Sequence, residues 1–246
     1  SSAFISNGTC VQSTEDTDNV IISGTLNVSN GSTVNDNDAN GATGSGGGIM
    51  TTGGAVTLSD SSIFDNTSNR AGGGLEYAGG TMSITATDFR RNETGVVTGP
   101  GAPGNGGGIH VTGNFDLTLD GLAVRNNTAA NEGGGLWNGA GTMTITDVRI
   151  LDNVANGDDA GNSGGGGIYN EGGIVTTDAD TVIRDNTATV GTGSGGGVLN
   201  ANGTFIATGT FFRMNLANRA GGAIEVNGAA ATTTIIGSTF NRNRAN

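Results

Sequence analysis

The chain contains no lysine, and all ten of its cationic side chains are arginines. Against them stand 22 aspartates and glutamates, so the formal net charge is −12. A surface of this charge repels the phosphate backbone of DNA and RNA, which proteins bind mainly through lysine and arginine. We therefore expect no nucleic-acid partner.

Cysteine and long apolar stretches are also scarce. Cys10 is the single cysteine, so no disulfide can form within the chain, and no cysteine and histidine cluster with metal-ligand spacing occurs. No stretch stays apolar over the roughly 20 residues that a membrane-spanning helix needs. We therefore expect no membrane insertion by this chain.

Glycine, by contrast, accounts for 48 of the 246 residues and is placed regularly. Each glycine cluster is followed by one aliphatic residue, and these residues recur at steps of 26 to 34 positions. They are Ile49, Leu75, Ile109, Leu136, Ile168, Val198 and Ile224. A repeat of this length is typical of solenoids, in which stacked units share one core.

Each repeat continues with an alternating stretch, such as "AVTLSD", and then an apolar residue with asparagine three positions later. These pairs are Ile63/Asn66, Phe89/Asn92, Val124/Asn127, Ile150/Asn153, Ile183/Asn186, Phe212/Asn215 and Phe240/Asn243. Short strands of this kind bury their apolar faces only when they stack on one another. The pattern predicts an all-β chain folded as a parallel β-helix, a solenoid of about seven to nine coils of three short strands.

Glycine and asparagine are expected at the corners of these coils. Glycine permits φ > 0 and close approach of backbones, and stacked asparagines satisfy backbone groups of neighbouring coils. We expect a second asparagine ladder at Asn138, Asn170 and Asn200. Residues 1–45 are less regular, so we divide the chain into an N-terminal cap with first coils (1–45) and a repeat β-helix (46–246). Residues 4–11 are the expected cap, because a solenoid end needs cover against edge pairing.

Three stretches combine a glycine pair, an aliphatic residue and F-x-x-N: "GGGL…FRRN" (72–92), "GGGV…FRMN" (195–215) and "GGAI…FNRN" (221–243). This combination resembles the GG-[ALVI] and F-x-x-N repeats of the chlamydial polymorphic outer-membrane protein family, over roughly residues 46–246. The resemblance implies a right-handed parallel β-helix and a secreted or surface-exposed passenger, often adhesive. Several repeats depart from it by using isoleucine or valine for phenylalanine, as similar repeats of other prokaryotic surface proteins do.

One position of each repeat follows the aliphatic residue of the first strand and is expected to point outward. It is occupied by Met50, Glu76, His110, Trp137, Tyr169, Leu199 and Glu225. Coils lie about 4.8 Å apart, so the three rings on consecutive coils are expected to touch. An exposed aromatic stripe is typical of a surface for a sugar ring or a protein partner; the alternative is a stabilising ladder or packing against a loop. His110, Trp137 and Tyr169 are the candidate binding residues.

Insertions follow the repeated asparagine at residues 35–45, 93–105, 154–164 and 187–194. We expect them at one corner, where they form a binding region or represent neutral length variation.

In the first insertion, "DNDANG" matches half of a calcium loop, so Asp36, Asp38 and Asn40 are the candidate Ca²⁺ ligands. An EF-hand is excluded because Gly47 stands where it requires glutamate. The alternative is a turn rich in Asx residues, and we expect no other cofactor.

A group of charged residues lies on the outer side of the second strand and the turn after it: Asp120, Asp147, Arg149, Asp178 and Asp180. Paired carboxylates serve glycoside hydrolysis, and an acidic groove with arginine suits a polysaccharide lyase. The alternative is a solvated face. Because fold alone implies no chemistry, we expect no catalysis.

Two further surface patterns are structural in our interpretation. Pairs such as Thr57/Ser59, Ser83/Thr85 and Thr144/Thr146 resemble the arrays of ice-binding solenoids, but Asp120, Asp178 and Ile206 interrupt the array. Arginines near aspartates are expected to form cross-coil ion pairs. They are Arg90, Arg125, Arg184 and Arg213, beside Asp65, Asp152 and Asp185.

These patterns together predict a secreted or cell-surface, extracellular β-solenoid with a structural or adhesive role. Its expected partners are copies of itself, bound end to end, or other surface proteins, with a glycan as a further ligand. Alternatively, these coils belong to a longer solenoid, in which further coils of the same chain take the place of a second copy. The alternative function is a carbohydrate-binding or polysaccharide-cleaving β-helix, and ice binding is a minor third.

Overall fold

The computed structural model describes residues 10–11, 20–22, 24–95, 104–157, 163–188 and 191–246. The regular structure of these residues is β-strand, and the strands stack as a parallel β-solenoid of about seven turns. The expected all-β parallel β-helix is confirmed. Within the same residues, no helix is long and apolar enough to cross a membrane.

The first sheet contains the strand that follows each glycine cluster. Its strands are Cys10–Val11, Val20–Ile22, Ile49–Thr51, Leu75–Tyr77, Ile109–Val111, Leu136–Asn138, Ile168–Asn170, Val198–Asn200 and Ile224–Val226. Cys10–Val11 is antiparallel to its neighbour, and the later strands pair in parallel, coil on coil. Most of the expected cap, residues 4–9, lies outside the described residues.

The second sheet carries the alternating stretch and the strand before each asparagine. Its strands are Thr25–Val28, Thr33–Asn35, Ala55–Phe64, Thr81–Arg90, Leu117–Asp120, Ala123–Arg125, Thr142–Thr146, Arg149–Leu151, Ile174–Thr177, Val182–Arg184, Thr204–Thr208, Phe211–Arg213, Thr232–Ile236 and Thr239–Asn241. In two coils the stretches merge into one strand of ten residues. A left-handed residue lies between the two stretches both inside these long strands, at Asp60 (φ 45°) and Ala86 (φ 45°), and in other coils, at Gly121 (φ 60°) and Asp147 (φ 49°).

A third sheet of two-residue strands follows the asparagines. Its strands are Asp38–Ala39, Thr67–Ser68, Glu93–Thr94, Thr128–Ala129, Val154–Ala155, Thr187–Ala188, Leu216–Ala217 and Arg244–Ala245. Each coil thus has a fourth short strand beyond the three expected, because two residues are too few to show alternation in the sequence. The described parts of the four insertions lie beside this sheet, at one common corner; residues 96–103, 158–162 and 189–190 lie outside the described residues.

One continuous apolar core runs through the coils. The apolar side chains three positions before the repeated asparagines form a column inside this core. The members of the column from Ile63 to Phe212 are 0% exposed. The ring of Phe212 stacks on that of Phe240, with centroids 4.7 Å apart. Full burial of such a side chain stabilises the fold by about 1.5–3 kcal/mol, so this column contributes strongly to stability.

The glycine clusters occupy a corner where side chains do not fit. Gly72 has a left-handed backbone (φ 62°), which other residues rarely adopt. A Cβ atom on the following Gly73 would lie 2.5 Å from the carbonyl oxygen of Gly107 in the next coil. Both expected reasons for glycine, the backbone angle and the close approach, are confirmed.

Buried asparagines form the expected ladder between coils. Asn127 is 0% exposed, and its Nδ2 donates to Oδ1 of Asn153 at 3.0 Å and to the carbonyl of Phe89 at 3.0 Å. Its Oδ1 accepts the backbone N–H of Asn92 at 3.0 Å. The same pattern connects the remaining members: Asn66, Asn92, Asn153, Asn186, Asn215 and Asn243. The second ladder is also confirmed, since Asn138 donates to Asn170 and Asn170 to Asn200, each at 2.9 Å.

Replacing Asn127 with alanine should therefore destabilise the fold strongly. The change leaves a buried carbonyl and a buried N–H without partners, and each such group costs about 1–3 kcal/mol. We expect the free energy of unfolding, measured by chemical denaturation, to fall by about 3 kcal/mol or more. Asn114→Ala, at an exposed position, is the control and should change it by less than about 0.5 kcal/mol. Equal effects of the two variants would contradict a stabilising ladder.

Candidate functional site

The column of outward positions on the first sheet is in register from coil to coil. The expectation of an exposed aromatic stripe is nevertheless wrong, because His110 is 5% and Tyr169 4% exposed, and Trp137 is half-buried. Arg70 and Glu132, in segments that precede glycine clusters, contact the column from outside. The column is therefore a covered layer beside the core.

The three rings touch, as expected from the coil spacing. The centroids of His110 and Trp137 lie 4.2 Å apart with planes 13° from parallel, and those of Trp137 and Tyr169 lie 6.0 Å apart at 7°. Both faces of the indole are therefore occupied by neighbouring rings. A sugar ring cannot stack on Trp137 without displacing one of them, so the column has no free face of the indole for a ligand.

A buried charged cluster continues the column beyond His110. Glu76 is 0% exposed; its Oε2 lies 3.3 Å from Nδ1 of His110, and its Oε1 accepts from Arg70 at 3.2 Å and from the hydroxyl of Thr112. Burial by itself would raise the pKa of Glu76. The opposing effects of His110, Thr112 and Arg70 outweigh it and hold the pKa below its ordinary value.

Carboxylates also fix the other two rings. Nε1 of Trp137 donates to Oε2 of Glu132 at 3.1 Å, and the hydroxyl of Tyr169 donates to Oε2 of Glu171 at 2.9 Å. Burial raises the pKa of Tyr169, and the negative charges of Glu132 and Glu171 raise it further. The phenol therefore stays protonated and acts as a hydrogen-bond donor. Its role as a binding residue, with His110 and Trp137, stays a prediction.

Sequence reasoning missed the side chains that hold this column. They are Arg70, Thr112, Glu132 and Glu171. Arg70 has one counterpart, Arg219, which pairs with Glu225 six positions later as Arg70 does with Glu76, so this contact could have been predicted. Thr52 occupies the position of Thr112 in one other coil, and Glu132 and Glu171 have no counterpart. For these three residues, closeness in sequence to a column member was the available signal.

The structure brings together two members of the charged group on the second sheet. Asp147 and Arg149 line a shallow cavity of about 340 Å³ beside Asp88. Oδ1 of Asp178 accepts the backbone N–H of Asp147 at 3.2 Å and the hydroxyl of Thr181 at 2.7 Å, so this carboxylate stabilises a turn. The remaining members, Asp120 and Asp180, are exposed outside the cavity.

Cross-coil ion pairs are present, but they join other residue pairs than those expected; the expected Arg184 and Asp185 lie 3.1 Å apart within one coil. Arg125 donates to both oxygens of Asp88 in the preceding coil, at 2.9 and 2.7 Å, and Arg91 pairs with Asp65 at 2.6 Å. Arg90 pairs with Asp88 of its own coil at 2.5 Å. Burial favours a raised pKa for Asp88, but the hydrogen bonds from the two arginines hold the pKa below its ordinary value.

The candidate Ca²⁺ ligands lie at the start of the third sheet. Asp36 has a left-handed backbone (φ 56°) and accepts from Asn35. Oδ1 of Asn40 lies 3.2 Å from the hydroxyl of Thr67, which also bonds to Asp38. Among the described residues, no three histidines, cysteines, aspartates or glutamates are grouped to hold a metal ion. Calcium binding by this mixed Asp and Asn set stays a prediction.

Hydroxyl side chains form columns on the outer face of the second sheet. Thr57 lies beside Ser83, and Thr118, Thr144 and Thr176 follow one another in register. Ile206 continues this column after Thr176, and Asp120 lies beside Thr85 in the neighbouring one. The expected interruptions are thus in place, and ice binding stays a prediction.

Comparison with family models, with curated proteins and with solved structures found no match for this chain. The parallel β-solenoid is therefore established by the structure itself.

Truncation of Trp137 tests whether the ring column stabilises the fold. Trp137→Ala removes ring contacts on two sides and the bond to Glu132, so we expect a loss of about 2 kcal/mol in chemical denaturation. Trp137→Phe keeps an aromatic face and should lose about half as much. Unchanged stability with weakened association of the chain would show instead that the column is a binding surface.

The Glu76 cluster predicts an acid-dependent loss of stability. Because the folded-state pKa of Glu76 is lowered, the unfolded chain takes up this proton first as the pH falls. The stabilisation is complete above about pH 5 and is lost as the pH falls through about 4.3 toward the folded-state value. The difference in unfolding free energy between wild type and Glu76→Gln should therefore shrink from about pH 6 to about pH 3.

The exposed Glu93 provides the control for this pH experiment. Glu93→Gln should differ from wild type by a small and nearly constant amount over the same range. If Glu76→Gln behaves in the same way, the buried carboxylate does not contribute to stability as argued.

Proposed function

We propose that this chain is a secreted or cell-surface β-solenoid with a structural or adhesive role. The observation that carries the proposal is the use of polar groups between coils: both asparagine ladders and the Glu76 cluster bond coil to coil. These groups stabilise a rigid stack of coils, and the described ends of the insertions lie at one corner of it. The resemblance to surface-protein repeats supports the same function.

End-to-end association, or continuation as a longer solenoid, belongs to this proposal. Two residues of the interior columns are exposed on the last described coil, Ile235 at 40% and Phe240 at 46%. Apolar surface of this kind favours burial against another coil, of the same chain or of a second copy. Contact between unlike faces of copies generates a filament unless it closes into a ring.

A charge on this face tests the association. We expect wild-type chains to form elongated oligomers in analytical ultracentrifugation and electron microscopy as their concentration rises. Phe240→Lys should abolish them, because it places a charge on the apolar face. Thr234→Lys, at an exposed position on the same coil, is the matched control and should leave them unchanged. A wild-type chain that stays monomeric would contradict end-to-end assembly.

The cavity beside Asp147 and Arg149 favours a second candidate function, the cleavage of a polysaccharide. Asp147 and Asp88 are its two carboxylates, but two arginines already hold Asp88. We therefore expect no products when the chain is incubated with acidic and neutral polysaccharides. Product formation that disappears in Asp147→Asn would favour the enzyme over the structural role, and asparagine also tolerates the left-handed backbone at this position.

A further inference from the structure

Two cavities on the second sheet meet at Arg149. The first, of about 340 Å³, contains Asp88, Asp147 and Arg149 in its wall. The second, of about 200 Å³, is lined by Arg149, Leu151, Val182 and Arg184. The strands concerned are neighbours in the sheet, so the two cavities lie in line along the solenoid. From Asp88 to Val182 there are three strand intervals, a length of about 14 Å.

The first cavity exists because one coil has small residues there. Ala123 lies between Asp88 and Arg149 in the register of three successive strands. Gly121 forms the preceding turn, where the next coil has Asp147. Alanine and glycine have little or no side chain, so the surface of the middle coil lies below that of its neighbours. The charged side chains of the two flanking coils therefore form the walls of a groove.

The arginines of this groove have donors left over. Arg149 is exposed and forms no ion pair with any described residue. Nε of Arg184 lies 3.1 Å from Oδ2 of Asp185 but is buried and makes no hydrogen bond within the described part of the chain. Arg125, by comparison, is satisfied by two hydrogen bonds to Asp88. The exposed guanidinium of Arg149 can therefore take up an anionic group, and Arg184, which lies beside Asp185, adds positive charge from the neighbouring strand.

We propose that this groove, centred on Arg149, binds an acidic oligosaccharide through the carboxylates of its sugar units. The planar guanidinium of Arg149 binds one carboxylate with two parallel hydrogen bonds, and Arg184 takes part from the next strand. Leu151 and Val182 provide an apolar floor for the C–H face of a sugar ring, and Asp147 accepts hydrogen bonds from its hydroxyls. This assignment goes beyond the structural role and does not depend on it.

The acidic groups of the groove favour a sugar chain over a nucleic acid. Asp147 lies in the same wall as Arg149 and Asp88 in the opposite one, and the whole chain carries a net charge of −12. A nucleic-acid backbone would bring a phosphate at every unit and few hydroxyls to donate to these carboxylates. Each unit of an acidic oligosaccharide pairs one carboxylate, suited to Arg149, with neutral hydroxyls that donate to Asp147.

Titration calorimetry of the full chain with a galacturonate hexamer at low ionic strength tests the proposal. We expect binding, and Arg149→Gln should weaken it by about tenfold or more. Arg149→Lys keeps the charge but loses the two parallel bonds, so it should weaken binding by a smaller factor. Arg213→Gln is the matched control. Arg213 lies beside Arg184 in the strand register, one strand further along, and lines neither cavity. The affinity of this variant for the hexamer should stay within about twofold of the wild-type value.

Three further outcomes would overturn the assignment. The first is that the wild-type chain does not bind the hexamer, and the second is that it binds the neutral methyl ester of the hexamer equally well. The third is that Arg149→Gln binds the hexamer as tightly as wild type while its thermal unfolding shows an intact fold. A sulfated hexasaccharide and a short single-stranded oligonucleotide are compared with the galacturonate hexamer. If one of them binds more tightly than the hexamer, and Arg149→Gln abolishes this binding, the groove is a site for another anion.

Discussion

Hydrogen bonding between equivalent asparagines of neighbouring coils is the interaction on which the rest of the structure depends. At the corner after the column from Ile63 to Phe212, the backbone turns through a left-handed residue whose own N–H bonds to the next coil, as that of Arg91 does to the carbonyl of Arg125. The amide of Asn127 satisfies both a carbonyl and an N–H there. Because a buried group without a partner is costly, each coil must present its asparagine at the same height, and this requirement fixes the register.

A fixed register then determines what every other position contacts. In a strand, a shift by one residue moves all side chains to the opposite face, so the apolar column and the outer columns stay separate along the whole stack. The same constraint explains where the chain varies in length. Insertions occur at the third sheet, between the asparagine and the next glycine cluster, because extra residues there leave both ladders and the core in register.

The fold could be predicted from the sequence because its determinants recur in every repeat. The glycine clusters, the interior column and the asparagines are visible as periods, and the structure confirms them. The contact between His110, Trp137 and Tyr169 was also predictable, since it follows from coil spacing alone. Their burial was not predictable, because it depends on Arg70, which has one counterpart in Arg219, and on Glu132, which is present in a single coil. Asp88 was missed as an ion-pair partner for the same reason.

Burial of the charged cluster around Glu76 requires an explanation beyond stability. A buried ion pair stabilises a fold little compared with apolar side chains packed in the same place, but removal of one partner is strongly destabilising. Oε2 of Glu76 and the hydroxyl of Thr112 lie 3.3 and 3.1 Å from Nδ1 of His110, and His110 stacks on Trp137. The cluster therefore sets the orientation of a whole column, and we infer that its contribution is specificity in how neighbouring coils are placed.

Departures from the repeat are where a solenoid of this kind acquires individual sites. An ideal repeat would place the same residue beside each member of an outer column, and its charges would be satisfied by coil-to-coil pairs. Ala123 breaks that pattern between Asp88 and Arg149, so a groove opens and one guanidinium is left without an ion-pair partner among the described residues. The periodic residues thus specify the scaffold, and the aperiodic ones, which no repeat constrains, are free to specify a ligand.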